Sequence, residues 1–184
     1  LQEAVAEQLV QLGMPHCQLE FAINQKPQTA LYNSGLDEVE MLIQTNPGQP
    51  AKPLAKIASG GELSRISLAI QVVIASTSIT PCLIFDEVDV GIGGATAEIV
   101  GRLLAQLGQH CQLLCITHLP QVASQAQHHL QVSKHSQNQL THTQVVPLDD
   151  KQRIQEIARM LGGVTLTEQT LAHAKEMLGS GAVH

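Results

Sequence analysis

Two short apolar runs, 82–85 and 113–116, each stop on polar residues, and a stretch with helical periodicity from about 95 to 107 lies between them. Strand, crossover helix and strand leave the chain little freedom. The two strands must run parallel, and the connection is right-handed in nearly all such units. Their C-terminal ends then share one sheet edge, which is where ligands bind in open α/β sheets. Aromatics make up only 2% of the residues, so the core must be built from Leu, Ile, Val and Ala. That composition suits a buried parallel sheet packed by helices. At 184 residues and 43% hydrophobic content the chain is long enough for one domain with a real core.

The remaining elements follow from periodicity and punctuation. Residues 1–12 place Val5, Leu9 and Leu12 on one helical face, and Gly13 with Pro15 stop that helix. The stripe requires a partner, and the chain opens on Leu1 within the helical pattern, which reads as a piece of something longer. Alternation over 17–23 and 39–43 predicts two strands joined by a polar loop containing Gly35. Three prolines and a glycine make 45–53 an irregular loop. A helix is expected from about 61 to 76, a short one from Pro120, and a polar hairpin over 130–148. Two closing helices, 151–161 and 167–178, are separated by Gly162 and Gly163.

Bulk charge excludes some functions. The formal charge is −6, and the ten Lys and Arg residues are spread singly. Counterion release needs clustered cations, so the chain by itself is not expected to bind nucleic acid tightly. Lys151, Arg153 and Arg159 give the first closing helix only a slight basic tilt. No apolar run reaches the roughly 20 residues needed to span a bilayer, and no signal peptide is seen. Cys17, Cys82, Cys111 and Cys115 form no C-x-x-C pair and read as reduced, buried thiols of a cytoplasmic protein. The histidines around the hairpin (His128, His129, His135, His142) lack zinc-site spacing and read as solvated residues.

The chemistry concentrates at the shared sheet edge. The run PCLIFDE ends on two adjacent carboxylates, Asp86 and Glu87, a Walker B pattern. One carboxylate at a rigid strand end can hold the water shell of Mg²⁺. The next points elsewhere and can orient or deprotonate a water. The parallel neighbour, LLCITHLP, ends on Thr117 and His118 at the same edge. An imidazole there could sense a γ-phosphate or hold an attacking water. The third element is IASGGELSR, in which Ser59 and Glu62 have capping-box spacing. Leu63, Ile66, Ile70 and Val73 are the apolar positions of the helix that follows. Gly60 and Gly61 leave its first N–H groups uncovered, which makes the helix start an anion site.

In this order, ASGGELSR, FDEVD and ITH resemble the signature, Walker B and switch motifs of ABC-type ATPases. The joined runs TNPGQP, LAKIASGGELSRISLAIQ, LIFDEVDVGIGG and CITHLPQVAS resemble, more narrowly, the RecN family of SMC-like bacterial repair ATPases. The closing IQEIARMLGG and LAHAKEML extend the resemblance over nearly the whole chain. It implies an α/β fold, the C-terminal lobe of an ABC-type ATPase head (14–184), with 1–13 as the end of a returning coiled-coil arm. It implies that Ser59, Gly60 and Gly61, with Glu62 beside them, contact the γ-phosphate of ATP held by an opposing head. Asp86 would assist Mg²⁺ binding through water, and Glu87 would be the catalytic base. Asp89 would lie in the D-loop across the dimer interface, and His118 would be the switch histidine. The partners implied are the chain's own N-terminal Walker A lobe, a second head in a homodimer, and DNA, with no membrane. The implied process is recombinational repair of double-strand breaks in a bacterial cytoplasm, at the nucleoid.

Two departures stand in the turn after Asp89. Gly93 and Ala95 occupy places where the family commonly has Ser and Pro, so a looser turn is expected. A larger one is that no G-x-x-x-x-G-K-[ST] occurs in the 184 residues, so the loop that cradles phosphates is missing from them. The rival readings are a nucleotide-binding fragment of another ABC ATPase, and a binding module that dimerises without turnover.

Overall fold

The computed structural model describes residues 1–27, 33–57, 59–75, 80–137, 140–163 and 165–181. Its first helix, α1 (Gln2–Gln11), needs no outside partner for its stripe. Val5, Leu9 and Leu12 have no exposed surface, and they share one core with the strands and helices that follow. Burying each such side chain is worth about 1.5–3 kcal/mol, so α1 is held by the lobe itself.

Strands β1 (Gln18–Gln25) and β2 (Asp37–Gln44) pair antiparallel. Leu19 faces Ile43 at the buried end, while Ile23 opposite Val39 lies exposed at the other. The loop expected to stay irregular adds one short strand, β3 (Lys52–Pro53), against β2. Proline is tolerated there because β3 is a sheet edge.

Helix α2 (Gly60–Ile74) packs on α1 and α3 (Gly94–Leu107). Its buried face differs in part from the expected one. Leu63 is exposed, while Ile66, Leu68 and Ala69 enter the core together with Arg65. The reason lies in what covers the first turn: the polar turn after Phe85 lies there, and the core begins a turn later.

Strands β4 (Cys82–Phe85) and β5 (Gln112–Cys115) pair in parallel, with Phe85 beside Cys115, and α3 makes the crossover. This is the unit expected from the sequence. One face packs Leu83, Phe85, Leu113 and Cys115 into the core. The other leaves Ile84, Leu114 and Ile116 exposed at 68%, 43% and 59%. Parallel strands ordinarily have both faces covered. That open face also explains why Cys82 is exposed, against the expectation of four buried thiols; only Cys17 is buried, and Cys111 and Cys115 are partly so. All four are free. Burial, with Glu62 adding, pushes the Cys17 thiol up to about 11. Burial, with Asp89 and then Asp86 adding, pushes Cys115 up to about 12. Both therefore stay protonated at neutral pH.

After the short α4 (Pro120–Ala123), the hairpin β6 (Leu130–Gln137) and β7 (Leu140–Pro147) leads into α5 (Asp150–Gly162) and α6 (Glu168–Gly181). Asp149 and Gln152 form a reciprocal capping box at the start of α5. Ile157, Ala158 and Ala174 form a second small core with Ala123. Gln131 and Arg159 both donate to the buried Glu156 carboxylate. The Arg159 hydrogen bond, foremost, holds that carboxyl below the usual glutamate range. A depressed folded pKa stabilises above the unfolded pKa and is lost as pH falls through the folded one. Glu156→Gln should therefore lower stability at neutral pH, and the gap to the parent protein should close in acid denaturation curves.

His129 beside this network is half-buried with Nδ1 unbonded, and burial lowers its pKa. Among the described residues no three His, Cys, Asp or Glu side chains converge as metal ligands; the side chain of His135 lies outside them. Nor, among them, is any helix long and apolar enough to cross a membrane.

Gly101 on α3 sets how closely α4 approaches. A Cβ there would lie 2.8 Å from Gln125 Cγ and 3.0 Å from the Gln121 carbonyl oxygen. Alanine gains about 1 kcal/mol of helix propensity, but overpacking against backbone costs about 1–3 kcal/mol. Gly101→Ala should thus lose on the order of 1 kcal/mol net, read as a lower midpoint in chemical denaturation.

Candidate functional site

The site is assembled where β4 and β5 end and α2 begins. Parallel pairing carries one step past the strands, with the Ile116 N–H donating to the Phe85 carbonyl at 2.9 Å. Asp86 and Glu87 on one side, and Thr117 and His118 on the other, therefore leave the sheet side by side.

Asp86 turns one carboxylate oxygen back onto the Glu87 N–H at 2.9 Å, and its side chain stays exposed. That bond supports a left-handed backbone at Glu87, φ +59°, uncommon for a non-glycine residue. The reversal sends the Glu87 side chain away from the sheet and toward α2. A Cβ added to Gly60 would overlap Glu87 Oε2. The carboxylate thus rests against the first turn of α2, at the positive end of the helix dipole. Side chain-free Gly60 is what lets it come so close.

Ser59 is the N-cap of α2, in extended backbone, and its Oγ accepts the Glu62 N–H at 3.4 Å. Half of the expected capping box is present: the bond to Ser59 Oγ is there, and the reciprocal one that α5 makes is not among the bonds of α2. A hydroxyl that accepts in this way retains its own proton to donate. Ser59 and Gly60 are exposed, Glu62 is half-buried and Gly61 is buried under the turn. The Glu62 charge acts on Cys17 and Arg65.

Asp89, expected from the resemblance to face another head, is 2% exposed. Its Oδ2 accepts from Thr117 Oγ1 at 2.5 Å and from the His118 N–H at 3.1 Å. The same oxygen lies 3.3 Å from His118 Nδ1. One carboxylate therefore joins the loops that follow β4 and β5. The His118 ring is 71% exposed, so its far nitrogen is open to solvent. Thr117 Oγ1 also accepts the Leu119 N–H at 3.0 Å, which sets the entry into α4.

Gly91 and Gly94 take φ +76° and +53°, and Gly93 begins α3 without a side-chain cap. Two residues that the sequence reading passed over also enter the site. Ser64 Oγ donates to the Asp86 carbonyl at 2.7 Å, and Arg65 Nη1 donates to the Val90 carbonyl at 2.7 Å. Nothing in the run ELSR distinguishes them from solvated helix residues. Only the tertiary placement does.

The structure thus brings together Ser59, Gly60, Gly61, Asp86, Glu87, Asp89 and His118 from three separated segments. A helix start, a hydroxyl, two exposed carboxylates and an imidazole suit a phosphate ester with a hydrated divalent cation.

No family model matches the chain. It is 51% identical over 180 residues to the DNA repair protein RecN of Vibrio cholerae, an alignment covering 97% of this chain and 32% of that protein. It is 48% identical over 178 residues to RecN of Haemophilus influenzae, and 45% identical over 185 residues to that of Streptomyces coelicolor. These cover 97% and 95% of this chain, and the chain spans about a third (32%) of the length of each. Among solved structures, the Smc head domain with a coiled coil and joint from Pyrococcus yayanosii superposes with a TM-score of 0.59 at 20% identity, over 85% of this chain and 28% of that one. The Smc head domain from Pyrococcus furiosus, solved with an extended coiled coil and bound to the C-terminal domain of ScpA, gives 0.53 at 22%, over 86% and 37%. These likenesses establish an SMC-head fold for a chain whose parallel strands end on Asp86–Glu87 and Thr117–His118 at one edge. With identity near one half along almost its whole length, the chain belongs to the RecN family of DNA repair proteins, as a segment matching about a third of its members' length.

Proposed function

We propose that this chain is the C-terminal lobe of an SMC-like ATPase head acting in recombinational repair of DNA double-strand breaks in bacteria, in the cytoplasm at the nucleoid. The observation that carries this reading is the joining of Asp86–Glu87, Thr117–His118 and the Ser59–Gly60–Gly61 helix start at one sheet edge. In the reading, an N-terminal lobe bearing the phosphate loop covers the open face of β4 and β5, where Ile84, Leu114 and Ile116 lie bare. α1 would be the root of the coiled-coil arm that links the lobes.

Each residue then has one task. Asp86, exposed at the strand end, would hold Mg²⁺ through its water shell, and the cation supplies neutralisation of phosphate charge when bound. Glu87 takes the proton of the attacking water. His118, held through Asp89, presents its outer nitrogen toward the γ-phosphate. Ser59, Gly60 and Gly61 offer donors to the γ-phosphate of ATP carried by a second head of a homodimer, with Glu62 capped beside them. Two heads would enclose two ATP molecules, and hydrolysis would release them. DNA binding would belong to the whole protein, since the ten Lys and Arg of this chain are spread along its sequence without a basic run.

The test is ATP hydrolysis by this chain alone, then mixed with a separately produced lobe carrying the phosphate loop. Activity only in the mixture is expected. Robust hydrolysis by the chain alone, lost on Glu87→Gln, would mean a complete nucleotide site within these residues and would overturn the split-head account.

A further inference from the structure

The start of α2 does more than face outward; it is bound along its length to the turn that carries Asp86 and Glu87. Gly61 lies directly on that turn, and a Cβ there would stand 3.1 Å from the Val90 carbonyl oxygen and 3.3 Å from that of Glu87. Ser64 Oγ donates to the Asp86 carbonyl and Arg65 Nη1 to the Val90 carbonyl, each at 2.7 Å. These two bonds grip the turn on either side of Glu87. Arg65 is 9% exposed, and its Nε has no partner. A guanidinium is costly to bury, and simple helix packing would be better served by an aliphatic side chain. What Arg65 adds is a charge-assisted bond to the backbone of the turn.

We infer that Ser64 and Arg65 are positioning residues that lock the first turns of α2 to the 86–90 turn, so that a phosphate engaged at Ser59–Gly61 sets the placement of Glu87 in the same chain. This rests on the paired-head reading. In that reading the two ends of the lock serve different nucleotides: the helix start meets ATP carried by the partner head, and Glu87 acts on ATP carried by its own. Capture of one nucleotide therefore prepares the base for the other, and the two sites become interdependent. Glu87 itself reports the connection, because its carboxylate rests on Gly60 and must shift when a phosphate approaches that turn.

The experiment is steady-state ATP hydrolysis against ATP concentration by the full-length protein and its Ser64→Ala, Arg65→Lys and Arg65→Ala variants. The wild-type curve should be sigmoidal, with a Hill coefficient between one and the two sites of a head pair. Ser64→Ala and Arg65→Ala should bring the coefficient to one and lower kcat by on the order of 10–100-fold. Binding of a fluorescent ATP analogue should keep its wild-type affinity, and Arg65→Lys, which keeps a cation of shorter reach, should retain part of the cooperativity. Ser64→Ala removes a single hydroxyl from a half-exposed site, so it keeps the test decisive if Arg65→Ala fails to fold. An unchanged Hill coefficient in folded Ser64→Ala and Arg65→Lys, or a wild-type coefficient of one, overturns the inference. Wild-type protein with no hydrolysis, or hydrolysis indifferent to Glu87→Gln, overturns the ATPase reading beneath it, which is a separate and recognisable result.

Discussion

Glu87→Gln, in the protein carrying both lobes, should lower ATP hydrolysis by about 10²–10⁴-fold and leave ATP binding intact. Glutamine has nearly the size of glutamate, so it can keep the left-handed backbone at φ +59° and the contact with Gly60. It cannot take a proton from water. The change therefore separates position from chemistry, and phosphate release and nucleotide binding measured on one preparation read the two independently. Because Asp86 bonds the backbone N–H of residue 87 rather than its side chain, the supporting hydrogen bond survives the substitution. Normal turnover by the variant would remove Glu87 from the base role.

Ser59→Arg should abolish ATP-driven pairing of heads while leaving the lobe folded. Losing the N-cap oxygen costs about 1 kcal/mol, too little to unfold a domain. The larger consequence is local. Ser59 and Gly60 are exposed and carry almost no side chain above the first N–H groups of α2. A long guanidinium there covers those donors, and the Glu87 carboxylate already resting on Gly60 is within its natural reach as an ion-pair partner. The anion site would be filled from within the chain. Size-exclusion chromatography with a slowly hydrolysed ATP analogue should show a dimer for Glu87→Gln and a monomer for Ser59→Arg. Pairing unaffected by Ser59→Arg would remove that residue from the interface.

The framework was legible in the sequence wherever it depends on local rules. The β4–α3–β5 unit is written in apolar runs of strand length around a helical period, and parallel pairing follows from the crossover. Gly60 and Gly61 declare a helix start free of side chains by composition alone, but not that the 86–90 turn buries Gly61 and the Glu87 carboxylate rests on Gly60. Features that depend on which surfaces meet in three dimensions were not legible. Val5, Leu9 and Leu12 announced a stripe but not that this lobe would bury it. Leu63 matched the helical period, yet it precedes the first turn that reaches the core. Cys82 lies in an apolar strand whose second face is open. The resemblance places Asp89 at an interface between heads, and its inward bond to Thr117 and His118 appears only when two loops 28 residues apart are set side by side. Arg65 reads as a surface cation, and its burial depends on the turn it grips.

The most direct measurement is ATP hydrolysis by a mixture of the Ser59→Arg and Glu87→Gln full-length proteins. Each variant alone should be nearly inactive. In a mixed pair, one pocket combines Glu87 from the Ser59→Arg head with the intact helix start of the Glu87→Gln head, while the other pocket carries both lesions. The mixture is therefore expected to hydrolyse ATP at a fraction of the wild-type rate, well above either parent. A mixture as inactive as its components would contradict the account, and would place Ser59 and Glu87 in one pocket built by a single head.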